Sequence, residues 1–397
     1  VIGEAVVLRE GTIRLVFRDI TETSAKVELL PPAHVAVESD GVPMTTISLS
    51  GARLSGLWDF NLHALTDAQG EASAVALQLR DRIGLSLQGL TVARHMGEAA
   101  GGRISVAESL GVDNLSLKLS LGPQSLTLAA AGLALRSTAH DLDMAAFRHW
   151  AEQAGFDWRG GSVQAQLLSY GGIGRPAGAP LLAQADAALT IDGLSLSVGN
   201  LSGLALRRLD IGLGLSDLDQ TLARAHLSYA HDGLGGEWFK GSLPRAQAIL
   251  SIDNLPLAEL LRAASTTAEG EVEAVSLGHG GDMPAAAPQA PVGLLEALDG
   301  AGTRIGIDDL TVGGEGWDAR ASGRATPAAA GMTLGLDAAV HGLDAFLATL
   351  SPATGEVLRG AARSGSDDKG NPVSLFQLAL PPGGGALVNG KPLDVGR

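Results

Sequence analysis

The 397-residue chain contains no cysteine. That excludes disulfides, thiolate zinc sites, iron–sulfur clusters and a cysteine nucleophile. Aromatics make up only 4% of the residues, so the apolar surface is built from Leu, Val, Ile and Ala. Basic residues are outnumbered 28 to 43, for a formal charge of −15, and they form no block. Phosphate backbones and anionic lipid headgroups would be repelled, which argues against nucleic acid and against electrostatic docking on a membrane surface. No apolar run approaches the 18 or so residues of a spanning helix.

Catalytic signatures are missing too. There is no Gly-x-Ser-x-Gly elbow, no Walker loop, no Rossmann glycine fingerprint and no His-Glu-x-x-His motif. The nine histidines are scattered and read as structural or surface residues. Asp367–Asn371 has carboxylates at calcium-loop density, but Lys369 sits among them and no glutamate follows at the required distance, so it reads as a polar hairpin tip. Catalytic residues, metal ligands and cofactor-binding residues are therefore expected to be none.

What the chain has in abundance is glycine, with 54 residues, and short apolar runs of period two. Leu115, Leu117 and Leu119 alternate with Ser116, Lys118 and Ser120. Leu126 and Leu128 follow after Gly122–Ser125. Leu189 and Ile191 alternate with Thr190, and Leu194, Leu196 and Val198 with Ser195 and Ser197. Each run is a strand with one apolar and one polar face. Asp192-Gly193 is a two-residue hairpin signal, and closing it would pair Ile191 with Leu194 and Leu189 with Leu196. The Gly122–Ser125 turn would set Leu121 against Leu126 and Leu119 against Leu128. Leu204 and Leu206, then Leu209, Ile211, Leu213 and Leu215, share a face only if Arg207-Arg208 resets the register. Short helices are expected at 141–150, 217–223, 254–261 and 342–350.

One small pattern recurs. Val112-Asp113-Asn114-Leu115, Ile191-Asp192-Gly193-Leu194, Ile252-Asp253-Asn254-Leu255 and Ile307-Asp308-Asp309-Leu310 share a form, with Val340-His341-Gly342-Leu343 as a looser copy. It is read either as a divergent structural repeat or as convergent turn chemistry. Stretches rich in Gly, Ala and Pro at 171–180 and 278–293 divide the chain into an N-terminal β block (1–170), a middle hairpin block (181–277) and a C-terminal β block (294–397).

The expected fold is mostly β: an elongated, curved antiparallel array with a few short helices, forming a groove or open barrel. The alternative is a set of closed β-sandwich blocks. In the first case Leu115, Leu117, Leu119, Leu126, Leu128, Leu189, Ile191, Leu194, Leu196 and Val198 line the apolar face and accept lipid acyl chains. In the second they are a packed core, and the protein is a structural or interaction scaffold.

The passages 115–121, 194–198 and 307–312, with the helices at 254–261 and 342–350, resemble the AsmA-like proteins of Gram-negative bacteria. So do 310–325 running into 332–340, and the last block, 373–380 with its Asn389-Gly390 hairpin. The resemblance covers roughly residues 105–397. It implies a non-enzymatic periplasmic protein with a β-groove. An N-terminal helix outside this sequence would anchor it to the inner membrane. Lipid transport, outer-membrane homeostasis and envelope protein partners are the implied roles.

Overall fold

A computed structural model describes residues 4–143, 183–260 and 292–393, with short interruptions. The two Gly/Ala/Pro-rich stretches lie outside the described residues, apart from Val292 and Gly293, which open a helix. So does the proposed helix at 141–150 beyond Asp143.

Among the described residues the architecture is one antiparallel sheet of 23 strands with three short helices. The mostly-β expectation holds. The middle strands are long: β7 (Ala64–Leu79), β8 (Ile83–Glu98), β13 (Gln184–Val198) and β14 (Leu201–Ser216) run 15 or 16 residues. Shorter strands pair end to end along them. β8 meets β9 (Ile104–Val112) on one half and β10 (Asn114–Leu121) on the other. β13 meets β12 (Gly132–Leu142) and β11 (Gln124–Ala130) in the same way. Beyond β14 the sheet is a plain meander through β15 (Ala223–Leu234), β16 (Leu243–Leu255), β17 (Arg304–Gly314), β18 (Trp317–Ala328) and β19 (Gly331–His341). It continues to β21 (Pro372–Leu380), whose far edge pairs with two short strands, 363–366 and 387–388. The ladder runs unbroken from β12 to β13 and from β16 to β17, on either side of the two undescribed stretches.

Asp192-Gly193 is not a hairpin. Both residues lie inside β13, with Gly193 at φ +59°. Ile191 pairs with Leu133 and Leu209, and Leu194 pairs with Leu206. The physical reason is that a left-handed residue serves two geometries. Two in succession close a type I′ turn, whereas one inside a strand bends it and lets the chain go on. Leu119 likewise pairs with Leu126, and Leu117 with Leu128, because the β10–β11 loop is two residues, not four.

The recurrent pattern now has a physical meaning. Its two apolar residues stand three apart, where a regular strand puts face-mates two apart. At Val112/Leu115 and Ile191/Leu194 the chain keeps its register on both sides of the break. At Ile307/Leu310 one extra residue forms a bulge against both β16 and β18. Each break swaps the parity of the apolar positions, so the apolar set stays together. The same spacing occurs without aspartate at Leu87/Leu90 and Leu206/Leu209. The break points Ser73, Gly89, Asp113, Ala131, Gly193, Arg207 and Gly233 form one row across seven neighbouring strand positions. Gly89 takes φ +63°, a conformation strained for any side chain, and a Cβ there would also have to displace the Asp113 side chain. Arg207-Arg208 is part of this row, but β14 passes straight through it in an unchanged pairing register, so the expected register reset at this dipeptide does not occur.

Of the short helices, α1 (Val292–Gly300), α2 (Leu343–Leu347) and α3 (Pro352–Ala361) are fully formed. The expected helix at 342–350 is α2, while α1 and α3 were not foreseen. Pro256 opens a helical turn, with the Glu259 and Leu260 amides donating to its carbonyl. Residues 217–223 are a turn instead, because Asp217 takes φ +56° and β15 begins at Ala223.

Among the described residues, the cluster of buried apolar side chains lies at the C-terminal end. Val340, Ala361, Phe376 and Val388 are buried there, with Phe346 and Leu358 packed against them. Trp317 stacks on Phe346 with ring centroids 5.0 Å apart. Elsewhere strands make their main contacts only with hydrogen-bonded neighbours among the described residues. All the described strands are joined in one hydrogen-bonded sheet, whereas separate sandwich blocks would each be built from separate sheets packed face to face. The closed-sandwich alternative therefore does not describe this fold.

Candidate functional site

The ten residues expected to line the apolar face fall into two groups, on either side of the row of breaks. On one side, cross-strand pairing assembles an unbroken ladder: Ile47–Leu77–Leu85–Leu117–Leu128–Leu196–Leu204. A second ladder runs Leu79–Ile83–Leu119–Leu126–Val198. Leu115 stands opposite Leu87 and Ala130. On the other side the row is Gly70–Val92–Leu110–Leu135–Leu189–Ile211–Tyr229. Ile191 lies in the next row with Leu133 and Leu209, and Leu194 with Leu206.

The ten are each half-buried, and large apolar side chains beside them on the same face stand further open. Leu135 and Ile211 are each 41% exposed, and Leu213 and Tyr229 each 39%. Four large apolar side chains on adjacent strands are thus open to water together, which singly placed surface residues are not. Each would gain roughly 25 cal/mol per Å² of apolar area on being covered. Leu135 and Tyr229 carry no signal in their own runs that separates them from any other strand residue. They come to light only once the register is known.

The face also carries polar groups that periodicity alone did not reveal. Arg94 and Glu108 occupy apolar-side positions, following Leu90 and Val92 on β8 and preceding Leu110 on β9. They pair across the strands, Arg94 Nε to Glu108 Oε1, at 3.0 Å. Ser137 is next in the same row. Two hollows adjoin on this face, of about 290 Å³ and 340 Å³, and both are bordered by Arg94, Glu108 and Ser137. The first is walled by Val92, Leu110 and Leu135, the second by Val106, Leu213 and Leu215. Further along, the Tyr229 hydroxyl lies 2.9 Å from Nδ1 of the buried His231.

The opposite face is polar and self-satisfied. Arg208 donates through Nε to Asp210 Oδ2 at 2.7 Å and through Nη2 to Oδ1 at 3.1 Å, and the Thr190 hydroxyl adds a third bond at 2.8 Å. The Arg208 guanidinium, helped by Thr190, holds the Asp210 carboxyl below the usual carboxylate range against the opposing pull of partial burial. Asp367 does the work of a hairpin tip between β20 (Arg363–Ser366) and β21. It accepts from the Asn371 side chain and from the Asn371 and Lys369 amides, which lower its pKa. Among the described residues no three His, Asp or Glu side chains converge as a metal site would require. No helix among them is long and apolar enough to cross a membrane.

Comparison of the chain with protein-family models, with curated proteins and with solved structures finds no match.

Proposed function

We propose that this protein binds lipid acyl chains along the apolar face of its sheet and does so without catalysis. The observation that carries this reading is the row Leu135–Leu189–Ile211–Tyr229, whose side chains are large and left more than a third open at three of its four positions. An acyl chain lying on this face gains about 0.8 kcal/mol per buried CH₂, so ten methylenes contribute roughly 8 kcal/mol before ordering costs. No polar contact is needed for that gain. The resemblance to AsmA-like proteins adds the setting: a periplasmic body tethered to the inner membrane that takes part in lipid traffic through the envelope.

The test is a fluorescent acyl-chain probe titrated onto the purified protein. Saturable binding is expected, displaced by an unlabelled nonionic alkyl compound. Ile211→Asp puts a charge in the middle of the row and is expected to weaken binding at least tenfold with the unfolding midpoint nearly unchanged. A probe that does not bind, or binds the variant equally well, contradicts the proposal.

One observation favours a second reading, an envelope scaffold that docks a partner protein. Among the described residues, strand β2 (Arg14–Arg18) pairs with β3 (Ser24–Leu30) alone, and around it Ile13, Leu15, Phe17 and Ile20 are 47–67% exposed. A free strand edge with apolar side chains is a template for strand addition. Phe17→Lys should abolish such docking while leaving the acyl probe bound.

A further inference from the structure

Arg94 and Glu108 are misplaced for an apolar track. The rows on either side of them are Val92–Leu110–Leu135–Leu189–Ile211 and Met96–Val106–Ala139–Ala185–Leu215. Their own row runs Ala68–Arg94–Glu108–Ser137–Ala187–Leu213. A charged pair between two apolar rows lowers the affinity of the face for plain hydrocarbon, since any chain crossing it must strip water from both ions. The geometry of the pair is also incomplete. Glu108 engages Arg94 side-on, through Nε alone, and that is the one protein partner of Arg94 among the described residues. The two terminal NH₂ groups, with four N–H donors in a planar fork, are left to solvent on a side chain 43% exposed. That fork matches a phosphate or carboxylate in two-point contact.

We propose that Arg94 is a headgroup station: it binds the anionic phosphate or carboxylate of an amphiphile whose chain lies in one of the two flanking hollows. Glu108 holds the guanidinium in place from the side and points the fork outward. Ser137, one strand further on, adds a hydroxyl to the same polar island. The hollows of about 290 Å³ and 340 Å³ open from this island in opposite directions, toward Leu135 and toward Leu215. A ligand with one polar end is thereby fixed in position along a face that otherwise offers no fixed position. The overall negative charge of the chain does not oppose this, because the Arg94 contact is local and charges beyond about 8–10 Å are screened at physiological salt.

This inference rests on acyl chains binding the face, and the experiment separates the two. Affinities are measured for two amphiphiles of equal chain length, dodecyl phosphate and the nonionic dodecyl maltoside, with inorganic phosphate as a third titrant. The unmodified protein is expected to bind dodecyl phosphate at least tenfold more tightly than the maltoside. Arg94→Gln should erase that preference and leave the maltoside affinity unchanged, while Glu108→Gln, which keeps the fork, should retain it. Inorganic phosphate alone should bind at least a hundredfold more weakly than dodecyl phosphate. Equal affinity for the two amphiphiles, or a preference that survives Arg94→Gln, overturns the headgroup station while the acyl-chain reading stands. Phosphate binding as tightly as dodecyl phosphate makes Arg94 a free-anion site and also overturns it. If neither amphiphile binds, both proposals fall.

Discussion

The C-terminal end and the middle of the sheet treat the same apolar face in opposite ways. At the C-terminal end, β18, β19 and β21 present Ala319, Val340 and Phe376, and the chain returns through α2, α3 and the short β22 (Leu387–Val388) to cover them. Phe376 is 6% exposed and Val388 1%. In the middle, β8 to β15 present larger side chains in longer rows, and among the described residues no helix returns over them. Ile211 keeps 41% of its surface in water. Both regions use alternating apolar strands, and in the middle left-handed glycines such as Gly89 and Gly193 keep the alternation in step. The difference is what the chain puts on top. Where helices cover the face there is a core, and where no described helix covers it the side chains stay partly open.

The sharpest way to break the comparison is to truncate one side chain at each place. Phe376→Ala removes a packed ring and leaves a cavity, for an expected loss of about 3–5 kcal/mol. Ile211→Ala removes a side chain already largely in water and should cost about 1 kcal/mol or less. Urea titrations followed by circular dichroism compare the two, and similar losses would mean that the middle face is packed after all.

Next in size are the left-handed positions that hold the rows together. Gly89→Ala forces a Cβ into the Asp113 carboxylate at φ +63°, and the left-handed backbone alone costs about 1–2 kcal/mol for a side chain. Gly335→Ala, where nothing lies within 4 Å, should be neutral or gain a few tenths of a kcal/mol. The same titrations decide this, and a neutral Gly89→Ala would show that the row of breaks is not held by that residue.

The smallest effect concerns the polar face. Asp210 has a lowered pKa in the folded protein, chiefly from Arg208, so its stabilising contribution is present above the ordinary carboxylate pKa and lost as pH falls through the lowered value. Its side chain is 39% exposed, and a pair of this kind contributes roughly 0.2–1 kcal/mol. Asp210→Asn should therefore lower stability slightly at pH 7 and not at all at pH 2. An equal loss at both pH values would mean that the effect is not ionic.

Much of this was legible in the chain. Period-two runs such as Leu115–Leu121 and Leu194–Val198 are strands, and the expectation of a mostly-β antiparallel array holds. What failed was the meaning of Asp-Gly. The dipeptide reports a left-handed backbone, and at Gly193 that conformation bends one strand instead of joining two. The three-residue spacing of Ile191 and Leu194 does not separate the two readings, because a two-residue hairpin would pair those same positions on one face. Pairing partners were illegible for the same reason, since Leu189 finds Leu135 and Ile211 through register alone. Arg94 was visible as a charge at an apolar-phase position after Leu90 and Val92, but its meaning depends on Glu108, fourteen residues away and adjacent only once β8 and β9 pair.

Whether the middle face carries lipid is tested most directly by native mass spectrometry of the protein taken from membranes in a mild detergent. An acyl-binding face predicts a population heavier than the bare chain by the mass of one or more lipids, and loss of that population in Ile211→Asp. A chain that arrives bare from membranes, or an adduct that Ile211→Asp leaves intact, would contradict it.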